Sequence, residues 1–193
     1  ADGICGSQTV RTLRLVSEKS GTGPGVASIR EAEARSGPSS IGGLRLVVGQ
    51  FGGLSSITRT VARALRERGA TVMSTDEYEA GAQAAAANRF GANAYVGFDA
   101  HPAERSIISY FAVPSFESIG GRVLASHIVD ELDDVLESRP ELAGMRLPVL
   151  RETRMPAVLC SVGPVRSVVD RTNRLSDAVT RAVAAWSQAP MHA

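Results

Sequence analysis

Two short constellations in this chain of 193 residues carry groups capable of chemistry. Asp99 and His101 lie two residues apart, so on a continuing strand a carboxylate and an imidazole would share one face. That pair would begin a metal site, which still wants a third nitrogen or oxygen ligand. The chain offers few: His127 falls inside a helical run and His192 next to the last residue. A capping aspartate and a surface histidine before Pro102 is the plainer reading. Gly49-Gln50-Phe51-Gly52-Gly53 is glycine-rich and precedes a helical run, as phosphate-cradling loops do. It is not GxGxxG and lacks the Lys and Ser/Thr of a P-loop, so a tight turn is the reading it favours. Ser161 has neither a GxSxG elbow nor an evident histidine partner. Cys160, in an apolar run, reads as a small buried hydrophobe.

Charge and composition exclude several functional classes. Lys+Arg number 21 against 20 Asp+Glu, a net charge of +1, so the basic surplus of a nucleic-acid binder is absent. With 44% hydrophobic and 21% charged residues, the chain can bury a core and does not read as disordered. Its longest apolar runs fall far short of a bilayer span. Cys5 and Cys160 make no disulfide framework and show no CxxC spacing, and a reduced, intracellular protein is the expectation. Asp130, Glu131, Asp133, Asp134 and Glu137 crowd the end of one helical run. Like charges at i,i+3 and i,i+4 are locally unfavourable there and oppose the helix dipole. A solvated face is expected, with a docking patch as the alternative; the arginines from Arg59 to Arg68 are read as solvated too.

The elements that must position these residues alternate. Leu44–Val48 is a β-branched run ending at Gly49, a strand signal. Ile57, Val61, Ala64 and Leu65 recur at helical spacing until Gly69 stops them. Thr71–Thr75 follows as a strand, and the alanine-rich Tyr78–Phe90 as a helix closed by Gly91. Ala94–Phe98 and Ile107–Val113 are further strands. Phe116, Ile119, Val123, Ile128, Leu132 and Val135 mark one long amphipathic helix. A strand at Ala157–Ser161 and a helix from about Thr172 to Trp186 complete the pattern. This predicts an α/β fold: a layered mixed, largely parallel sheet flanked by helices, over residues 41–193. Sites in such sheets gather at the carboxyl ends of strands, here Gly49–Gly53, Phe98–Pro102 and Cys160–Pro164. Residues 21–40, opening with Gly21-Thr22-Gly23-Pro24-Gly25 and ending in Ser36-Gly37-Pro38-Ser39-Ser40, read as a linker. Residues 1–20 read as the end of something longer.

At this point family resemblance enters. Asp2-Gly3-Ile4, Gly6 and Thr9 resemble the close of a type 1 peptidoglycan-binding repeat, with Ser7 where that motif has Pro. Residues 1–20 would then be the C-terminal remnant of such a repeat. Ile29-Arg30-Glu31, Arg35-Ser36-Gly37-Pro38, Leu150-Arg151, Thr153-Arg154-Met155-Pro156 and Val158 resemble the CwlM-like group of actinobacterial pseudo-amidases. In that group two repeats precede a domain similar to zinc-dependent N-acetylmuramoyl-L-alanine amidases of type 3. The resemblance covers nearly the whole chain in order, and Thr-Arg-Met-Pro is its most specific link.

Active members of the amidase family hold zinc through His, Glu and His and activate water with a further Glu. Carried over by position, the first ligand falls on Phe51, and the second on a shortened stretch, Leu54-Ser55-Ser56, without Glu. The third falls on Asp99 and the catalytic Glu on Ser161; no histidine precedes His101. The resemblance thus implies a pseudo-enzyme with no metal or other cofactor. It also implies a cytoplasmic role in regulating peptidoglycan precursor synthesis, with the UDP-N-acetylglucosamine enolpyruvyl transferase as partner and neither nucleic acid nor a membrane span involved. Two other readings stay open. One is a working zinc amidase with an unorthodox site on Asp99 and His101; the other is a non-catalytic module that binds muramyl peptides or peptidoglycan.

Overall fold

The computed structural model describes residues 41–191, in which seven strands and six helices form one layered unit. The repeat remnant and linker expected over residues 1–40, and His192, lie outside the described residues. The strands are β1 (Arg45–Phe51), β2 (Thr71–Thr75), β3 (Ala94–Ala100), β4 (Ile107–Val113), β5 (Phe116–Glu117), β6 (Glu141–Met145) and β7 (Ala157–Val162). The helices are α1 (Ser55–Glu67), α2 (Ala80–Phe90), α3 (Ile119–Asp133), α4 (Pro148–Glu152), α5 (Val165–Asp170) and α6 (Thr172–Gln188). The sheet runs β2-β1-β3-β7-β4, with β6 and the short β5 each also pairing with β4. Pairs β1/β2, β1/β3, β3/β7 and β4/β6 are parallel; β4 is antiparallel to β7 and to β5. The expected mixed, largely parallel sheet is what forms.

Strand periodicity sorts the core into two layers. Leu46, Val48, Val96, Phe98, Val158 and Cys160 point to one face and join Ile57, Val61 and Leu65 of α1. Val123, Leu124 and Ile128 of α3 and Leu175, Val179 and Val183 of α6 complete that layer. Burying each such aliphatic side chain contributes roughly 1.5–3 kcal/mol. The intervening positions Val47, Tyr95, Ala157 and Leu159 face the other way, against Ala87 of α2 and Val149 and Leu150 of α4. Both faces of the central strands are therefore covered, as parallel sheets require. Gly91 ends α2 at φ 67°, a left-handed conformation that costs glycine nothing, and its N–H reaches the Ala87 and Asn88 carbonyls.

Several local expectations are corrected. The long helix starts at Ile119, not Phe116: Ser118 caps it, its hydroxyl accepting from the Gly121 N–H at 3.2 Å. Phe116 instead pairs with Val113 in the β4–β5 hairpin. Strand β1 runs past Gly49 to Phe51, and β6, α4 and α5 had no visible pattern. The acidic end of α3 is a solvated face, as expected, but four of its five carboxylates are paired. Arg139 bridges Asp130 at 2.5 Å and Asp133 at 2.6 Å, Arg181 reaches Glu131 at 2.7 Å, and Arg171 reaches Glu137 at 3.0 Å. Arg139 just past the helix, and Arg171 and Arg181 from farther along the chain, answer the like-charge repulsion that the helix alone could not.

Candidate functional site

Strand register brings three of the sequence-predicted positions into one row. Phe51 on β1 pairs with Asp99 on β3, and Asp99 pairs with Ser161 on β7. Residues paired across a ladder point to the same face, so ring, carboxylate and hydroxyl stand side by side at the carboxyl ends of three parallel strands. All three are half-buried. They lie on the α2/α4 side of the sheet, where Phe51 packs against the smaller core layer.

A buried polar network supports the row from below. Tyr95 is fully buried, and its hydroxyl donates to Gln83 Oε1 at 2.7 Å. Gln83, also fully buried, donates through Nε2 to the Gln50 carbonyl at 3.0 Å and the Glu77 carbonyl at 2.6 Å. Tyr95 fits only because Gly49 and Gly97 lack side chains: a Cβ on Gly49 would lie 2.2 Å from Gln83 Oε1 and 2.4 Å from the Tyr95 hydroxyl. Burial holds the Tyr95 phenol far above its ordinary range. Beyond the row, Gly52 and Gly53 turn the chain at φ 85° and 77°, with nothing among the described residues within 4 Å of where a Cβ would stand. Gln50 ties that turn to α1, its Oε1 accepting from the Leu54 N–H at 3.0 Å. The glycine-rich stretch is thus a strand end plus a tight turn.

Asp99 carries the unusual electrostatics. Partial desolvation raises its carboxyl above the ordinary aspartate value, against the Ala100 amide and His101, which pull it down. Among the described residues no ion pair is made by Asp99. His101 continues the ladder, its N–H donating to the Val162 carbonyl at 2.8 Å, while its Nδ1 accepts from the Ala103 N–H at 3.2 Å. Asp99 and His101 are therefore electrostatic neighbours, though the imidazole is engaged by its own loop. Cys160 is fully buried and its thiol is pushed up to about 12, the inert hydrophobe expected.

The residues present do not fit the zinc ion that the resemblance implies for active amidases. Phe51 has no donor atom, a neutral serine hydroxyl is a poor ligand, and the first turn of α1 holds no acidic residue. Asp99 is the single carboxylate in the row, and among the described residues no three His, Cys, Asp or Glu side chains gather as a metal site would need. The sequence pointed to Phe51, Asp99 and Ser161 one by one. It missed the Tyr95–Gln83 support, whose traces were a glutamine amid alanines and glycines at matching positions of two strands.

No protein-family model matches the chain, and no curated protein does. Solved structures do. The crystal structure of N-acetylmuramoyl-L-alanine amidase from Clostridium difficile 630 superposes with a TM-score of 0.63 at 14% identity, over 76% of this chain and 98% of that one. The catalytic domain of CwlV, an N-acetylmuramoyl-L-alanine amidase from Bacillus (Paenibacillus) polymyxa var. colistinus, gives 0.59 at 18%, over 74% and 98%. The catalytic domain of the CD27L endolysin targeting Clostridia difficile gives 0.56 at 14%, over 72% and 96%. At such identities the likeness is one of architecture, and the domain described here has the N-acetylmuramoyl-L-alanine amidase fold.

Proposed function

We propose that this chain is a non-catalytic amidase-fold protein of the CwlM-like group, a cytoplasmic regulator of peptidoglycan precursor synthesis that acts through the UDP-N-acetylglucosamine enolpyruvyl transferase. The observation that carries the non-catalytic part is the row Phe51, Asp99 and Ser161. A hydrolase of this architecture needs a Lewis acid to bring bound water toward neutrality and a base to take its proton. A phenyl ring, one carboxylate and a serine hydroxyl are too few ligands for that Lewis acid, so Asp99, the one group in the row able to act as a base, has no activated water to work on. The regulatory part is supported by the sequence resemblance, foremost Thr153-Arg154-Met155-Pro156.

The test has two arms. Protein purified in zinc-supplemented buffer is assayed for metal and for release of peptide from muramyl peptides and intact peptidoglycan, beside an active amidase. No stoichiometric zinc and no turnover above buffer are expected. Near one zinc per chain, lost in Asp99→Asn or His101→Ala, would establish the unorthodox zinc amidase instead. In the second arm the transferase is titrated calorimetrically with this chain and with any longer form its gene encodes, and binding by the longest form is expected. Binding by neither, with retention on peptidoglycan, would replace the regulator by a wall-binding module.

A further inference from the structure

We propose that the row Phe51–Asp99–Ser161 is a binding site for a primary ammonium group carried by an amino acid or a short peptide. The proposal rests on the non-catalytic reading above, in that it requires the row to hold no metal.

The geometry specifies the ligand through its donors. An ammonium offers three N–H groups in a tetrahedral array. The row offers three complementary partners: a carboxylate at Asp99, a hydroxyl oxygen at Ser161 and an aromatic face at Phe51. Asp99 stands between the other two in the ladder. Neighbouring strands lie about 4.8 Å apart, so a nitrogen held over Asp99 would have Phe51 on one side and Ser161 on the other, each one strand away. A cation over a phenyl ring is attracted by the ring quadrupole, most strongly where water is partly excluded. A charge-assisted hydrogen bond to a carboxylate is about twice as strong as a neutral one.

Two further features favour a cation over a neutral or anionic ligand. Asp99 is half-buried, and among the described residues no ion pair is made by it; the Ala100 amide and His101 offset only part of the cost of desolvating its charge. An entering ammonium offsets the rest, whereas an anion would meet like charge. The chain leaving Phe51 continues through Gly52 and Gly53, which carry no side chains that could reach back over the row. The floor beneath is rigid, since Tyr95 and Gln83 are fully buried and mutually hydrogen-bonded. A preorganised floor lowers the cost of binding.

The experiment is an NMR titration of the full chain, treated with chelator and checked for zinc. The probes are Nα-acetyl-lysine amide, which carries a side-chain ammonium, and alanine amide, which carries a chain-end ammonium. Nα-acetyl-glutamate amide and matched sodium chloride are the controls. Saturable amide shifts confined to residues 51–53, 99–101 and 161–163 are expected with at least one ammonium probe and neither control. The probe that binds more tightly tells whether the natural ligand presents a side-chain or a terminal amine. Asp99→Asn should weaken the affinity about tenfold or more, and Phe51→Leu and Ser161→Ala by smaller factors. Ser161→Ala carries the comparison if Asp99→Asn fails to fold, which its spectrum will show. Zinc-free protein with no saturable shift, or with unchanged affinity in the variants, overturns this inference alone. Zinc found bound at Asp99 overturns both this inference and the non-catalytic reading.

Discussion

Replacing Gly49 with alanine tests the packing beneath the row most directly. The new Cβ would lie 2.2 Å from Gln83 Oε1 and 2.4 Å from the Tyr95 hydroxyl, more than an ångström inside ordinary contact. Neither neighbour can yield cheaply. The tyrosine ring is fully buried, and Gln83 is pinned by bonds from its amide to two carbonyls and by the bond from Tyr95. Forcing them apart breaks the 2.7 Å hydroxyl–amide bond and leaves a buried donor and acceptor unpaired, at about 1–3 kcal/mol. Overpacking adds about 1–3 kcal/mol. A total near 3 kcal/mol or more corresponds to a melting temperature lower by roughly 6–12 °C in a domain of this size. Gly52→Ala is the contrast: nothing lies within 4 Å of its Cβ, and the cost arises from φ 85° alone, about 1–2 kcal/mol. Tyr95→Phe removes the same hydrogen bond, so the double variant Gly49→Ala/Tyr95→Phe should lose less than the sum of the singles. Urea unfolding followed by circular dichroism, with the m-value checked for constancy, measures all four. Gly49→Ala within about 1 kcal/mol of wild type, or no worse than Gly52→Ala, would refute the packing argument.

Three other outcomes are expected. Ser176 and Thr180 on α6 bury hydroxyls that find no hydrogen-bond partner among the described residues. Thr180→Val should therefore stabilise the protein by about 1 kcal/mol in the same unfolding assay. Asp99 has a raised carboxyl pKa in the folded state, so its ionisation opposes folding: the penalty is absent below the ordinary aspartate value, builds as pH rises from there to the folded value, and is complete above it. Asp99→Asn should accordingly be more stable than wild type at pH 7 and converge with it near pH 3, and a reversed order would show the carboxylate to be favourably solvated. Cys160, fully buried with its thiol pushed up to about 12, should resist iodoacetamide at pH 8 in the native protein and react in urea, as read by peptide mapping.

How much of this was legible in the sequence depends on the range of the interaction involved. The alternation of strands and helices is a local property, carried by periods of two and 3.6, and it placed β1 to β4, β7 and the helices α1, α2, α3 and α6 near their observed bounds. That Phe51 brings no donor atom to the end of β1 was equally legible, since no fold can give a phenyl ring one. Beyond that, tertiary contacts decided. Glu141-Leu142-Ala143-Gly144-Met145 has little strand propensity and is a strand because β4 supplies its ladder. Phe116 left the expected helix because Val113 and the Ser118 cap outcompeted one more turn. The acidic end of α3 reads as repulsive until Arg139, Arg171 and Arg181 arrive from other elements. The row itself belongs to the same class. Phe51, Asp99 and Ser161 are separated by tens of residues, and only parallel pairing in one register makes them neighbours on a single face. A shift of one residue in either pairing would turn a side chain to the opposite face of the sheet. Residue types were fixed along the chain, but their meeting was fixed by the ladder and by the close packing of Tyr95 over Gly49 and Gly97.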